Sequence, residues 1–206
     1  MRRYIAVCMT GASGLIYGIR LVDQLLARTD RELAVVYSRG ARRVAELELG
    51  KDLAILLREL VKGREDRVAI YDENDWLSPL ASSSTVPEAV VVAPCSLRTL
   101  SDIARGSPRN VIVRAAHSAI RLRRPLVLVV RETPLTAADI ENMLRVSLMG
   151  AVVLPASPAF YYGPKSIDDI VYFVVGKVLD VLGLEHDLYP KWASRSRESS
   201  SSNFMP

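Results

Sequence analysis

Five residues, Thr10-Gly11-Ala12-Ser13-Gly14, follow a short apolar run and precede residues at helical spacing. Backbone N–H groups in such a turn face outward at the positive end of a helix dipole, where phosphate or another anion binds, and glycine lets a ligand approach closely. The spacing is not the G-x-G-x-x-G of dinucleotide sites, and the same residues also suit a tight turn that binds nothing. Ser13 is then either a ligand to the anion or a helix cap. Pro94-Cys95-Ser96-Leu97-Arg98-Thr99 closes a second apolar run and adds hydroxyls and a guanidinium, with the plainer alternative that Ser96 caps a helix and Arg98 is solvated. Arg131-Glu132-Thr133-Pro134 closes a third run with an ion-bearing turn. Lys177 stands among Val174, Val175, Val178 and Val181, where an ammonium needs an anion or a path to water along its own stem. Tyr161 lies sixteen residues earlier, within Pro158-Ala159-Phe160-Tyr161-Tyr162-Gly163-Pro164.

These turns need a scaffold that brings them to one place. Strands are expected at Tyr4 to Met9, Glu32 to Tyr37, Ala89 to Ala93, Leu126 to Val130 and Ala151 to Leu154. Ala89 to Ala93 and Leu126 to Val130 are apolar without alternation, which marks parallel strands covered on both faces. Leu15, Ile19, Val22 and Leu26 predict a first helix, and Ser38 opens another through Glu48. Thr136 with Asp139 and Ser166 with Asp169 have capping-box spacing, which predicts helices over 137–148 and 167–182. Strand and helix alternate, so the expected fold is α/β: a doubly wound, mostly parallel sheet in a three-layer sandwich. Ligands of such folds bind at the carboxyl ends of the strands, where Ser13, Ser96 and Arg131 all fall. Residues 72–88, around Trp76 and Ser82, Ser83 and Ser84, read as one long loop of the functional kind.

The chain has 206 residues, half of them hydrophobic, which suits one domain of 1–190 with a serine-rich tail over 191–206 and Trp192 as a candidate anchor. Only Cys8 and Cys95 are present, so a disulfide scaffold is excluded; both are expected in the core, in a cytoplasmic protein. No apolar run reaches the roughly 18 residues of a membrane span. Net charge is +4, of which 191–206 supplies +2, yet residues 103–131 hold seven arginines and no acid, pointing to an anionic ligand nearby. Their neighbours are aliphatic rather than aromatic, which weakens a nucleic-acid stacking platform.

Together, Thr10-Gly11-Ala12-Ser13-Gly14 with Tyr17-Gly18, Pro94-Cys95-Ser96, Arg114-Ala115-Ala116, Arg131-Glu132-Thr133-Pro134-Leu135 and Pro158-Ala159-Phe160-Tyr161 resemble the flavin prenyltransferases, the UbiX-like enzymes. The resemblance runs from about residue 3 to Trp192. It implies a flavodoxin-like Rossmann enzyme, assembled as a homododecamer, that joins a dimethylallyl group from dimethylallyl monophosphate to N5 and C6 of reduced FMN without a metal. The prenylated FMN would serve a UbiD-type decarboxylase. By the same resemblance, Gly11, Ala12, Ser13, Ser38, Ser96, Leu97, Arg98, Thr99 and Arg131 would hold FMN. Tyr161, Lys177 and Arg121 would meet dimethylallyl phosphate. Ser13, Glu48, Glu132 and Arg121 would be catalytic, with Glu48 delivered from a neighbouring chain.

The family usually has lysine where this chain has Arg121 and arginine where it has Lys177, so charge is kept while bidentate geometry changes. His117 stands where the family commonly has aspartate, and it takes no assigned role. A cation-like prenyl group suits basic side chains around a leaving phosphate and an aromatic face such as Trp76 or Tyr161. The missing aspartate-rich magnesium motif argues against a diphosphate-dependent prenyl synthase. Two other readings stay open. An FMN-dependent cysteine decarboxylase of the related fold would carry a histidine in the helix after Ser38, which is absent here. A flavin carrier or nucleic-acid-binding module would instead use the arginine run.

Overall fold

The computed structural model describes residues 4–192, so the serine-rich stretch from Ser194 onward lies outside it. The chain forms two compact units, Met1–Ala156 and Ser157–Pro206.

The first unit is a six-stranded sheet: β1 (Tyr4–Met9), β2 (Glu32–Tyr37), β3 (Val68–Asp72), β4 (Ala89–Cys95), β5 (Leu126–Val130) and β6 (Val152–Pro155), in the spatial order β3-β2-β1-β4-β5-β6. All five pairings are parallel. The order reverses between β1 and β4, which opens a crevice at the carboxyl ends of these two strands. Every residue of β4 and β5 is buried, as expected of continuous apolar strands covered on both sides. Cys8 and Cys95 are fully buried on the adjacent strands β1 and β4.

The helices are α1 (Leu15–Arg28), α2 (Arg39–Leu49), α3 (Leu53–Leu60), α4 (Leu97–Arg105), α5 (Val111–Arg121), α6 (Ala137–Leu148) and, in the second unit, α7 (Ile167–Val181). α1 buries Leu15, Leu21, Val22, Leu25 and Leu26, the stripe of an amphipathic helix. Gly18 lets it touch the sheet: a Cβ there would lie 2.2 Å from the Ala93 carbonyl oxygen. Both anticipated capping boxes are present, at Thr136 with Asp139 and Ser166 with Asp169. α3 and β3 were not anticipated. The stretch 72–88 contains two 3₁₀ turns, Pro79–Ala81 and Ser83–Thr85, with Leu80 in the core. No described helix is long and apolar enough to cross a membrane.

Candidate functional site

Thr10 joins the first two turns. Its hydroxyl donates to the Pro94 carbonyl oxygen at 2.8 Å and accepts from the Ser96 N–H at 2.8 Å, and the residue is 1% exposed. Two turns 86 residues apart in sequence are thus locked together by one buried side chain. A third turn abuts them: a Cβ on Gly11 would lie 3.0 Å from Gly40 Cα, so the turn before α1 and the start of α2 meet backbone to backbone. Ser38 caps α2, accepting from the Ala41 N–H at 3.1 Å, and Ser96 caps α4, accepting from the Thr99 N–H at 3.3 Å. The Ser96 hydroxyl also lies 3.1 Å from that of Thr99. Ser13 caps nothing. Gly14, at φ 94°, is the cap residue of α1, and Ser13 is exposed.

Arg131 follows β5 and donates from Nε to the Ser13 carbonyl oxygen at 3.2 Å, so the third ion-bearing turn is tied to the first. Burial pushes the nearby Tyr17 hydroxyl's pKa up, with the positive charge of Arg131 pulling the other way. Between the turns lies a cleft of about 1060 Å³, lined by Gly11, Ser38, Gly40, Ser96–Thr99 and Glu132 among others. Glu132 is exposed, with Oε1 accepting from the Thr133 N–H at 3.0 Å. A space of this size, walled by N–H-rich turns and bordered by Arg39 and Arg98, suits a tricyclic ring carrying a phosphate. Among the described residues there is no cluster of side chains that could hold a metal ion.

The geometry corrects the expected origin of Glu48. Its carboxylate, near the end of α2, accepts from the Gly14 N–H at 2.9 and 3.1 Å and from the Leu15 N–H at 3.2 Å. The acid therefore reaches the first turn within one chain, and no neighbour is needed to deliver it. Arg121 shows the reverse. It ends α5, whose first turn lies beside Glu73 at the carboxyl edge, and β5 begins five residues later at the opposite edge. The length of α5, about 15 Å, separates Arg121 from its own chain's cleft. The seven arginines of 103–131 do not form one stripe. Arg109 lies 3.5 Å from Asp102 and Arg114 donates to the Ala81 carbonyl oxygen at 3.0 Å, while Arg123 and Arg124 surround the turn into β5. His117 is 8% exposed; burial lowers its pKa, and the charges of Arg121 and Arg114 lower it further.

Tyr161 and Lys177 belong to the second unit. The Tyr161 hydroxyl donates to the Pro190 carbonyl oxygen at 3.0 Å, and its ring meets those of Tyr162, Phe173 and Trp192 edge-on. Trp192 is anchored on Tyr161 in this way, at a centroid distance of 5.1 Å. Lys177 lies 3.5 Å from Asp180 and over the rings of Tyr189 and Phe173, so its place on an apolar stripe is answered by an acid and two aromatic faces.

Several cleft residues went unmarked in the sequence, Gly40, Glu73 and Asn110 among them. Gly40 is required by the close approach to Gly11, a fact of tertiary packing. Glu73 accepts from the Arg39 N–H at 2.7 Å and from Asn110 Nδ2 at 2.5 Å, while its own carbonyl accepts from the Val111 N–H at 2.9 Å. It thereby ties together the first turns of α2 and α5, and Asn110 caps α5. Their only signal would have been recognition of β3, whose end positions Glu73.

The flavoprotein family model matches residues 1–179. A flavin prenyltransferase UbiX of Aquifex aeolicus is 50% identical over 190 residues, covering 91% of this chain and 97% of that one. A crystal structure of AnUbiX (PadA1) in complex with FMN and dimethylallyl pyrophosphate superposes with a TM-score of 0.85 at 35% identity, covering 93% of this chain and 98% of that one. A dodecameric FMN-dependent UbiX-like decarboxylase from Escherichia coli O157:H7 gives 0.82 at 36% identity, covering 92% and 98%. With its strand-end turns gathered around one cleft, this chain belongs to the flavoprotein family and, within it, to the flavin prenyltransferases.

Proposed function

We propose that this protein transfers the dimethylallyl group of dimethylallyl monophosphate to N5 and C6 of reduced FMN, and that the prenylated FMN passes to a UbiD-type decarboxylase. The observation that carries this is the convergence of Gly11, Ser38–Gly40, Ser96–Thr99 and Glu132 on one cleft, with the neighbouring Ser13 and Arg131 bonded to each other, in a chain half identical to a flavin prenyltransferase. We read residues 1–190 as the functional domain and the protein as cytoplasmic.

Gly11, Ala12, Ser13, Ser38, Ser96, Leu97, Arg98, Thr99 and Arg131 would hold the flavin, through backbone N–H groups, hydroxyls and guanidinium. Bound reduced flavin would supply the electron-rich ring atoms. During transfer the allylic C–O bond breaks and its electron pair leaves on phosphate, so cationic groups that hold phosphate stabilise the developing charge. Lys177, Tyr161 and Arg121 would hold that phosphate. Glu132 has one oxygen on the Thr133 N–H, and the other would take or return a proton, with Ser13, whose carbonyl accepts from Arg131, as its catalytic partner. Glu48, bound to the first turn of α1, would act within its own chain. Arg121 would act on a neighbour's cleft, which supports assembly as a homododecamer like the dodecameric UbiX-like structure.

The cysteine decarboxylase reading is not favoured, because α2 lacks the histidine that such a site needs. Purified protein incubated with reduced FMN and dimethylallyl monophosphate is expected to yield flavin heavier by one prenyl unit in a mass spectrum. Unchanged flavin, with both ligands shown to bind, would overturn the proposal.

A further inference from the structure

Lys177 and Tyr161, whose roles rest on the function proposed above, share a network centred on an acid that the reaction does not use. Tyr189 Oη donates to Asp180 Oδ2 at 2.5 Å, and His186 Nε2 lies 3.2 Å from Asp180 Oδ1. His186 Nδ1 accepts from the Leu188 N–H at 3.2 Å, which assigns the remaining proton of a neutral ring to Nε2 and makes it a donor to Asp180. The His186 side chain is 1% exposed. Lys177 Nζ, one helical turn before Asp180, lies 3.5 Å from Oδ2 and 4.9 Å from the Tyr189 ring centroid. Gly176 makes this possible: a Cβ there would come within 2.6 Å of Tyr189 and 2.8 Å of His186. The segment so docked carries Pro190, whose carbonyl takes the Tyr161 hydroxyl.

We propose that Asp180 is a positioning residue for the phosphate-binding pair, holding the Lys177 ammonium directly and Tyr161 through the docked segment 186–190. A lysine side chain loses considerable rotamer freedom when it grips an anion, and holding it beforehand lowers that cost. A half-exposed ion pair by itself contributes little. Here the carboxylate is also gripped by two other donors. Burial works against its charge, but Tyr189, His186 and Lys177 outweigh this and hold its pKa below the usual carboxylate value.

Charge and position predict opposite outcomes. Asp180→Asn removes a negative charge beside Lys177, so attraction of phosphate by charge alone would lower KM for dimethylallyl monophosphate. Positioning instead predicts that KM rises about tenfold while kcat stays within about twofold, and that FMN affinity is unchanged. Tyr189→Phe keeps the ring, removes the hydroxyl and is expected to raise the same KM several-fold; it carries the test alone if Asp180→Asn does not fold. A KM equal to or below that of the parent protein in the folded variants overturns the proposal. The underlying reading fails separately: a parent protein that makes no prenylated flavin, or a Lys177→Met variant with unchanged KM, removes Lys177 from the substrate site.

Discussion

The turns at the sheet edge and the cluster around Asp180 are both polar and both gather distant residues, yet they are built from different materials. In the first, backbone meets backbone: Gly11 lies against Gly40, Gly18 against the Ala93 carbonyl, and a buried threonine hydroxyl bridges two loops. In the second, side-chain tips meet one another: a carboxylate, a phenol, an imidazole, an ammonium and several rings. Main-chain contacts have no rotamers to adjust, so the first region is stiff. The second can yield by rotating a side chain.

A matched pair of substitutions separates the two most sharply. Gly18→Ala sets a methyl against an immovable carbonyl oxygen and is expected to cost about 3 kcal/mol in denaturant unfolding. Gly176→Ala meets only the Tyr189 and His186 rings and should cost about 1 kcal/mol while raising KM for the prenyl donor. Equal losses at the two sites would break the distinction. Thr10→Val leaves the Ser96 N–H without its partner and takes from the Pro94 carbonyl one of its two donors, the Thr10 backbone N–H remaining, for an expected loss of about 2 kcal/mol and weaker FMN binding by fluorescence titration. Glu73→Ala frees the first turns of α2 and α5, with an expected loss of about 1 kcal/mol and a several-fold rise in FMN Kd. Asn110→Ala added to it should cost about 1 kcal/mol more, because Asn110 Oδ1 also caps α5 by accepting from the Val113 N–H, a bond separate from the one that the two residues share. The smallest effect is a pH dependence. The lowered pKa of His117 means that the unfolded chain takes up a proton first, so stability falls as pH drops below about 6.5. His117→Gln should flatten this part of the stability profile.

How much was legible in the sequence follows the same division. The buried strands β4 and β5, the first βα turn and both capping boxes depend on local pattern, and the structure has them where that pattern put them. β3 escaped because Val68–Asp72 is a short edge strand of mixed burial. Overlooking it hid Glu73. α3 is only eight residues long and mostly apolar, too short for its period to stand out. The return of Glu48 from the end of α2 to the start of α1 is a matter of tertiary packing and left no mark on spacing. Arg121, by contrast, was readable: a helix that ends just before a strand must end at the edge where that strand begins.

The two thiols in the middle of the sheet carry a practical consequence. Burial holds Cys8 up to about 12 and raises Cys95 further, so neither is an appreciable thiolate at neutral pH. Alkylating reagents and peroxide formed by flavin in air therefore find no target while β1 and β4 stay together, and the rate at which either sulfur is modified becomes a clock for the opening of the molecule's centre.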